Sequence, residues 1–357
     1  EMCIRDSFGG GAQSTINSLS GDLNVSGAGS KLAIAGSSSL WVSNTIDLQD
    51  QTQLAINAGA GQPSLESDRM RIGNGVAFNL SGIQNESQLE KVLISTRNGI
   101  SGDFSAVTIG GFNGTVDYMT VHTRKSDDET KYLASYGLSW TAGNNLAHGT
   151  FTLANATDHF TVGTALADQV MNVVSGWDGT SLTKAGDGTL LLTGTNTYSG
   201  GTTIQGGVLQ LGNGGITGSV LGDITNNAAL AFNRSDSFAF SNVISGTGRV
   251  EQRGSGTLIL SGINTYTGGT SIAGGILQVS ADNNLGAGLG GLTFSGGTLA
   301  TTAGFDSARA IGLTGNGTFD IAAGTEFGLT GVITGTGDLI KSGAGTLRLE
   351  NGGKAYG

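Results

Sequence analysis

The histidines are the side chains of this sequence that could most directly bind a metal ion. His122, His148 and His159 show no HExxH spacing and have no cysteine partners, since Cys3 is the single cysteine. Zinc sites need several nitrogen or sulfur ligands at short, fixed spacings. The sequence therefore predicts no metal site, and one cysteine cannot form an intrachain disulfide.

Paired carboxylates with nearby basic residues would provide the acid–base chemistry that cleaves polysaccharides. In the repetitive part of the chain, charged side chains are rare and the candidate aspartates stand alone. We interpret them as solvated turn residues rather than catalytic acids: Asp187, Asp223, Asp306 and Asp320. The sequence also lacks the GxSxG motif of serine nucleophiles. We therefore predict no catalytic residue and no enzymatic activity in this chain.

Two glycine-rich motifs could bind a nucleotide or calcium. GAGLGG, residues 286–291, fits GxGxxG, but no helical pattern follows it, so we interpret it as a turn. GTGD, residues 335–338, is only part of a calcium-binding β-roll nonapeptide. The sequence thus predicts no cofactor.

The composition indicates short strands separated by tight turns. The 357 residues include 64 glycines and one proline, and only 12% are charged. Thr, Ser, Asn, Val, Ile and Leu fill the segments between glycines, and no amphipathic helical pattern is present. Disorder is the alternative for such a chain, but ordered apolar triplets such as LLL and LIL argue against it. The net charge of -10 argues against nucleic acid or anionic lipid as a partner.

One phrase occurs twice with conservative exchanges. GTLLLTGTNTYSGGTTIQGGVLQL, residues 188–211, returns as GTLILSGINTYTGGTSIAGGILQV, residues 256–279. Aligned from Lys184 and Gln252, 17 of 28 positions are identical, and a third copy begins at Lys341. Self-similarity of this kind indicates a repeat architecture.

The spacing of apolar strand centres predicts a coil of stacked rungs. The centres are Leu182, Leu209, Leu230, Val250, Leu277, Leu299, Phe319 and Leu339. Most steps between them are close to an ordinary rung of about 20 residues, and the two longer steps, from Leu182 and from Val250, contain the phrase. We interpret the phrase as an enlarged rung whose extra residues form the loop NTYSGG or NTYTGG.

Such a regular period predicts an all-β parallel β-helix, with a stack of antiparallel hairpins as the alternative. Each rung of a β-helix must stack on its neighbours, because it cannot bury its own apolar face. Glycine pairs at 206–207, 274–275 and 296–297 are expected at the sharp turns of the coil.

Changes of pattern along the chain predict its domains. Residues 1–7, EMCIRDS, have the character of a cloning or assembly scar, and residues 8–82 are expected to form irregular rungs. Residues 83–160 are predicted to be an insertion or subdomain in which an antiparallel hairpin around RKSDDET leaves the coil. Residues 161–357 form the repeat-containing coil, which we expect to continue beyond Gly357.

The phrase closely resembles the passenger-associated transport repeat of bacterial autotransporters, of the form KxGxGTLxLxGxNTYxGGTxIxxGxL. Lys184–Leu209 fits it throughout, Gln252–Leu277 lacks only the lysine, and the segment from Lys341 fits until the chain ends. The resemblance implies a right-handed parallel β-helix, exported by type V secretion and displayed outside a Gram-negative outer membrane. In that family a signal peptide precedes the passenger and an outer-membrane β-barrel follows it, so the chain would be a passenger fragment.

Two functions are compatible with this resemblance. The favoured one is a surface stalk with adhesive contacts to host or bacterial cells or to itself, including biofilm, in which the repeats support export and folding. The alternative is the stalk of an exported protease or glycan-cleaving enzyme whose catalytic domain lies elsewhere. The resemblance transfers no active-site residue, no cofactor and no membrane insertion to this segment.

Overall fold

The computed structural model of this chain describes residues 16–35, 38–58, 63–81, 90–110, 117–142, 146–350 and 354–356. Its parallel sheets form stacked β-solenoid turns, about 14 in the two units counted together, with almost no helix. The all-β parallel β-helix predicted from the sequence is therefore confirmed. Contacts divide the chain into two units, Glu1–His148 with Asn172–Trp177 and Gly149–Met171 with Asp178–Gly357.

The first unit contains two sheets. One follows the order β1-β4-β6-β8-β12-β11, with β2 and β9 beside β4 and β6, and the other follows β10-β7-β5-β3. A 3-10 turn at Ser139–Thr141 follows the last strand. The strands are β1 (Ile16–Leu19), β2 (Leu23–Val25), β3 (Lys31–Ile34), β4 (Ser39–Leu48), β5 (Gln53–Asn57), β6 (Leu65–Ile72), β7 (Ala77–Ser81), β8 (Lys91–Thr96), β9 (Ile100–Ser101), β10 (Ala106–Gly110), β11 (Met119–Lys125) and β12 (Lys131–Leu138).

The antiparallel hairpin is present, and it belongs to a sheet. β11 and β12 pair antiparallel, as the sequence predicts. The hairpin does not leave the coil, however, because β12 also pairs antiparallel with β8. Tyr132 is buried against the ring of Phe104, at 4.9 Å between centroids, and Phe104 stacks on Phe78. Apolar burial therefore holds the hairpin to its rungs, while the domain boundaries at 83 and 161 stay predictions.

The second unit is built from four parallel sheets. They have five strands (β13-β15-β17-β19-β22), ten (β14-β16-β18-β20-β23-β25-β27-β30-β33-β36), six (β21-β24-β26-β28-β31-β34) and three (β29-β32-β35). A 3-10 turn spans Asp282–Leu285. The strands are β13 (Thr150–Thr152), β14 (His159–Val162), β15 (Leu182–Ala185), β16 (Thr189–Leu192), β17 (Thr202–Ile204), β18 (Val208–Leu211), β19 (Ile224–Asn226), β20 (Ala229–Phe232), β21 (Ser237–Phe240), β22 (Ile244–Ser245), β23 (Arg249–Gln252), β24 (Thr257–Leu260), β25 (Thr270–Ile272), β26 (Ile276–Val279), β27 (Leu292–Phe294), β28 (Thr298–Thr301), β29 (Phe305–Ser307), β30 (Ile311–Leu313), β31 (Gly317–Ile321), β32 (Glu326–Leu329), β33 (Ile333–Gly335), β34 (Leu339–Ser342), β35 (Thr346–Leu349) and β36 (Lys354–Tyr356).

The strand register corrects the predicted rung length. Leu182 lies opposite Thr202, whereas Leu209 lies opposite Leu190, so the apparent long step from Leu182 to Leu209 joins two different sheets. Val250 likewise lies opposite Thr270. From Leu190 onward, successive partners in the ten-stranded sheet stay close to one ordinary rung apart, about 20 residues. The prediction of enlarged rungs is wrong, although NTYSGG and NTYTGG do lie between strands.

The core of the second unit is a set of inward ladders that run from rung to rung. Leu190, Leu209, Leu230 and Val250 occupy one ladder and are fully buried. Each strand alternates inward and outward residues, so one rung contributes only a few apolar side chains. A single rung therefore cannot exclude water from its own interior, and stability comes from stacking on both neighbours.

The predicted glycine turns lie where consecutive rungs approach most closely. Gly207 and Gly275 have φ of +62° and +50°, the left-handed region that favours glycine. A Cβ on Gly207 would also collide with the carbonyl oxygen of Gly188 in the rung below. These turns thus need glycine for two reasons, backbone conformation and the lack of a side chain.

Gly207→Ala should therefore destabilise the second unit by more than about 2 kcal/mol, because it adds a steric clash to the cost of a left-handed alanine. Gly214→Ala is the matched control, since Gly214 has φ of +79° but no heavy atom within 4 Å of the added Cβ. The control should cost only about 1 kcal/mol. Chemical unfolding of both variants measures the difference, and equal losses would contradict the close approach of the rungs.

Candidate functional site

The three histidines are not arranged as the ligands of one metal site. His122 lies on β11 with its ring Nε2 at 2.8 Å from the carbonyl oxygen of Leu138, and burial lowers its pKa. His159 is exposed on β14. In the part of the chain that the structure describes, no group of three His, Cys, Asp or Glu residues could hold a metal ion.

The four aspartates singled out in the sequence have separate environments. Asp223 accepts a hydrogen bond from the amide of Val243 at 2.9 Å. Asp306 forms an ion pair with Arg348 at 2.6 Å. Asp187 lies in a turn beside a buried lysine, and Asp320 lies on β31 opposite Ala300 of the preceding rung. They therefore do not form the paired carboxylates of a hydrolase.

GAGLGG forms the turn that the sequence predicts, and a buried arginine holds it. The 3-10 turn Asp282–Leu285 precedes it, and the strand β27 follows. Arg309, which is 1% exposed, donates hydrogen bonds to the carbonyl oxygens of Ala287 and Gly290 at 2.6 and 2.8 Å and pairs with Asp282. Nothing in the local sequence around Arg309 indicated this role, because its partners lie about one rung earlier.

Buried polar side chains recur at the same positions in both copies of the repeated phrase. Each complete copy contains two strands, a loop and two further strands: β15, β16, β17 and β18 in the first copy, and β23, β24, β25 and β26 in the second. We call the loop between the middle strands, residues 193–201 or 261–269, the repeat loop. Compared with the rung of β20, β21 and β22, it stands in the place of β21 in the first copy and in the place of β22 in the second.

The first position of the repeat closes a turn with donated hydrogen bonds. The fully buried Lys184 ammonium donates to the carbonyl oxygens of Ala185, Gly186 and Gly206 at 2.7, 2.8 and 3.1 Å. Burial lowers the pKa of Lys184 to about 8, so at neutral pH it still has three protons for three acceptors. Lys184 thereby joins its own turn to that of the next rung.

Gln252 occupies the same position in the second copy and has the same role. Its amide nitrogen lies 3.2 Å from the carbonyl oxygen of Gly254 and 3.1 Å from that of Gly256. A third contact reaches Ile276 in the next rung at 3.4 Å. The exchange of lysine for glutamine therefore keeps a buried nitrogen donor at this position, with two N–H groups in place of three, and removes the buried charge.

The Tyr-x-Gly-Gly-Thr segment of the repeat forms a buried hydroxyl pair. The hydroxyls of Tyr198 and Thr202 lie 2.7 Å apart, and those of Tyr266 and Thr270 lie 2.6 Å apart. Both rings are fully buried, and burial raises the pKa of Tyr266 to about 12. The two intervening glycines allow the loop to turn back so that its own threonine satisfies the phenol.

Successive copies of the repeat lie on different sheets. The strands of the first copy alternate between the five- and ten-stranded sheets, those of the second between the ten- and six-stranded sheets, and those of the third, β34 and β35, belong to the six- and three-stranded sheets. The step from Lys184 to Gln252 is about three and a third rungs, and the step from Gln252 to Lys341 is about four and a third. Each copy therefore begins one face further around the coil.

The outer side of the five-stranded sheet is rich in hydroxyl groups. One residue of each strand points outward in register: Thr150, Thr183, Thr203, Thr225 and Ser245. Beside this row lies an open groove of about 460 Å³, lined by Ser199, Gly200, Gly201, Thr202, Thr203, Gly222, Asp223 and Thr225. The glycines expose backbone at its base, so a ligand there would meet peptide groups, hydroxyls and one carboxylate.

Comparison with known proteins supports the resemblance drawn from the repeat. The passenger-associated-transport-repeat family model matches residues 182–211, 250–279 and 339–357. The resemblance to autotransporter passengers is thereby confirmed. The chain is also 45% identical, over 113 residues or 32% of its length, to the Adhesin BmaC autotransporter of Brucella suis biovar 1 (strain 1330). That match spans only 3% of the length of the curated relative.

The first position of the passenger-associated-transport-repeat offers a direct test of its donors. Lys184→Gln copies the second repeat and should change the free energy of unfolding by less than about 1 kcal/mol, whereas Lys184→Met leaves three carbonyl oxygens without this donor and should cost about 1–3 kcal/mol. Gln252→Met should cost a similar amount. Denaturant unfolding measures these differences; a methionine variant as stable as the glutamine variant would show that the donors contribute nothing.

Proposed function

We propose that this chain is a segment of a surface-exposed autotransporter passenger with a structural and adhesive role. It would be displayed outside a Gram-negative outer membrane, with its own C-terminal β-barrel as anchor, and would contact host cells, bacterial cells or other copies of itself, as in biofilm. The repeats would support export and folding. The observation that carries this proposal is the 45% identity to a protein named as an autotransporter adhesin.

The geometry supports a contact role more than a catalytic one. The described sheets offer outward rows of small polar side chains, such as the threonine row at Thr183, Thr203 and Thr225. Adhesive surfaces need extended area and repeated contacts rather than groups with matched pKa values. Within the described residues, no helix has the length and apolar character needed to span a membrane.

The second candidate is the stalk of an exported protease or glycan-cleaving enzyme. The separate environments of Asp223 and Asp306 do not favour hydrolysis by this segment itself. A catalytic domain elsewhere in the polypeptide would leave the structure of these rungs unchanged. The two proposed functions must therefore be distinguished by measuring attachment and enzymatic activity.

Surface display tests the adhesive role. The 357-residue chain, fused to an outer-membrane anchor, should increase attachment of non-adherent bacteria to epithelial cells or their clumping with each other, with display verified by antibody labelling. Attachment equal to that of the anchor alone, at equal display, would contradict the proposal. Release of peptide or glycan fragments by the displayed chain would favour the enzymatic alternative.

Charged substitutions on two sheets should locate the contact. Thr203→Arg and Thr225→Arg beside the groove should reduce attachment by about tenfold, as expected for a contact that buries these positions. Thr298→Arg and Thr318→Arg occupy aligned, half-buried positions on the six-stranded sheet and serve as matched controls. Equal losses in both pairs would show that the effect is not specific to the groove, and unchanged attachment in the groove pair would place the contact elsewhere.

A further inference from the structure

The asparagine of each repeat loop is buried and its side chain binds the backbone of both neighbouring rungs. Asn196 is 1% exposed, and its side-chain oxygen accepts the amide hydrogen of Leu166 at 2.9 Å. Its side-chain nitrogen donates to the carbonyl oxygen of Ser219 at 2.8 Å. Leu166 belongs to the preceding rung and Ser219 to the following one, so one side chain joins three rungs.

The second copy repeats this arrangement. Asn264 is 3% exposed, its side-chain oxygen accepts the amide hydrogen of Ile244 at 2.8 Å, and its nitrogen donates to the carbonyl oxygen of Asn284 at 2.7 Å. The residue after each asparagine, Thr197 or Thr265, donates its backbone amide to the carbonyl oxygen of the same preceding residue, at 2.8 and 2.9 Å. Both backbone groups of Leu166 and of Ile244 are therefore bound by an Asn-Thr pair.

The contacts of the two asparagines reproduce the hydrogen bonds that the peptide groups of a strand would make at this place. In a parallel sheet, the peptide groups of a strand accept from one neighbour and donate to the other. A carboxamide side chain has the same carbonyl acceptor and N–H donor as a peptide group. The repeat loop lacks a strand. In the first copy its backbone pairs with the following rung through one isolated parallel bridge, Thr195 with Ser219, and with the preceding rung through amides that donate to the carbonyl oxygen of Leu166.

We propose that Asn196 and Asn264 act as surrogate peptide units that set the alignment of three consecutive rungs where the repeat loop replaces a strand. Sliding the following rung out of this alignment would remove the acceptor of a buried N–H, and sliding the preceding rung would remove the donor to a buried carbonyl oxygen. Unpaired buried polar groups are strongly disfavoured. The asparagine therefore selects one alignment at a corner where no strand ladder selects it.

Disulfide formation can report this alignment directly. In a Cys3→Ser background, the aligned pair Thr195→Cys with Ser219→Cys should oxidise faster than the offset pair Thr195→Cys with Thr217→Cys, because bridge partners lie within disulfide reach. Asn196→Ala removes both inter-rung hydrogen bonds of this side chain and should reduce the preference by at least about tenfold.

Asn264→Ala is the matched control, because it removes the same contacts at a different corner of the coil. It should lower stability to a similar extent and leave the preference at Thr195 unchanged. Asn196→Asp keeps the acceptor and loses the donor. The preference for the aligned pair should therefore fall while the Leu166 amide stays protected from hydrogen exchange. This variant also tests the proposal if Asn196→Ala does not fold. The proposal is overturned if Asn196→Ala keeps the wild-type preference, or if Asn264→Ala reduces it equally.

Discussion

Every feature of the second unit depends on the in-register stacking of rungs that cannot bury themselves. The ladder of Leu190, Leu209, Leu230 and Val250 is fully buried only because each leucine lies directly above and below another apolar residue. A slip of one residue would turn each inward side chain to the outside of its strand. Stability and register are therefore the same requirement in this fold, and anything that weakens the alignment of two rungs also exposes apolar surface.

The buried polar groups follow from that requirement. A strand aligns its neighbours through a continuous ladder of peptide groups, whereas the repeat loop makes only some of these backbone hydrogen bonds, so side chains supply further donors and acceptors. Lys184 and Gln252 do so at the first turn of the repeat, and Arg309 does so over the turn from Gly286. All three donate mainly to carbonyl oxygens, including those of Ala185, Gly256 and Ala287, which also accept a backbone amide.

The sequence predicted the strands and the coil well, because both depend on local patterns. Alternation and glycine punctuation identify strands such as β16 and β24, and the turns at Gly207 and Gly275 follow from the need for positive φ. The rung length was wrong because the strand centres chosen at Leu182 and Leu209 belong to different sheets, and residue spacing alone cannot tell a full turn from a turn and a third. The sequence pattern also did not identify β6, because its charged residues interrupt any regular apolar pattern.

The roles of the buried polar residues could not be read from one copy, although comparison of the two copies contains a signal. Where apolar positions exchange Leu for Ile or Val, the Asn, Tyr, Gly-Gly and Thr of the repeat loop stay the same. Their partners provide the physical reason. Asn196 binds the backbone of Leu166 and Ser219, and Asn264 binds the backbone of Ile244 and Asn284. The preceding partners are both buried aliphatic residues, whereas the following partners have different side chains. Because the asparagine binds only backbone groups, the same contacts can form at a different face of the coil. This explains how the two complete copies, which lie about three and a third rungs apart, can make the same contacts.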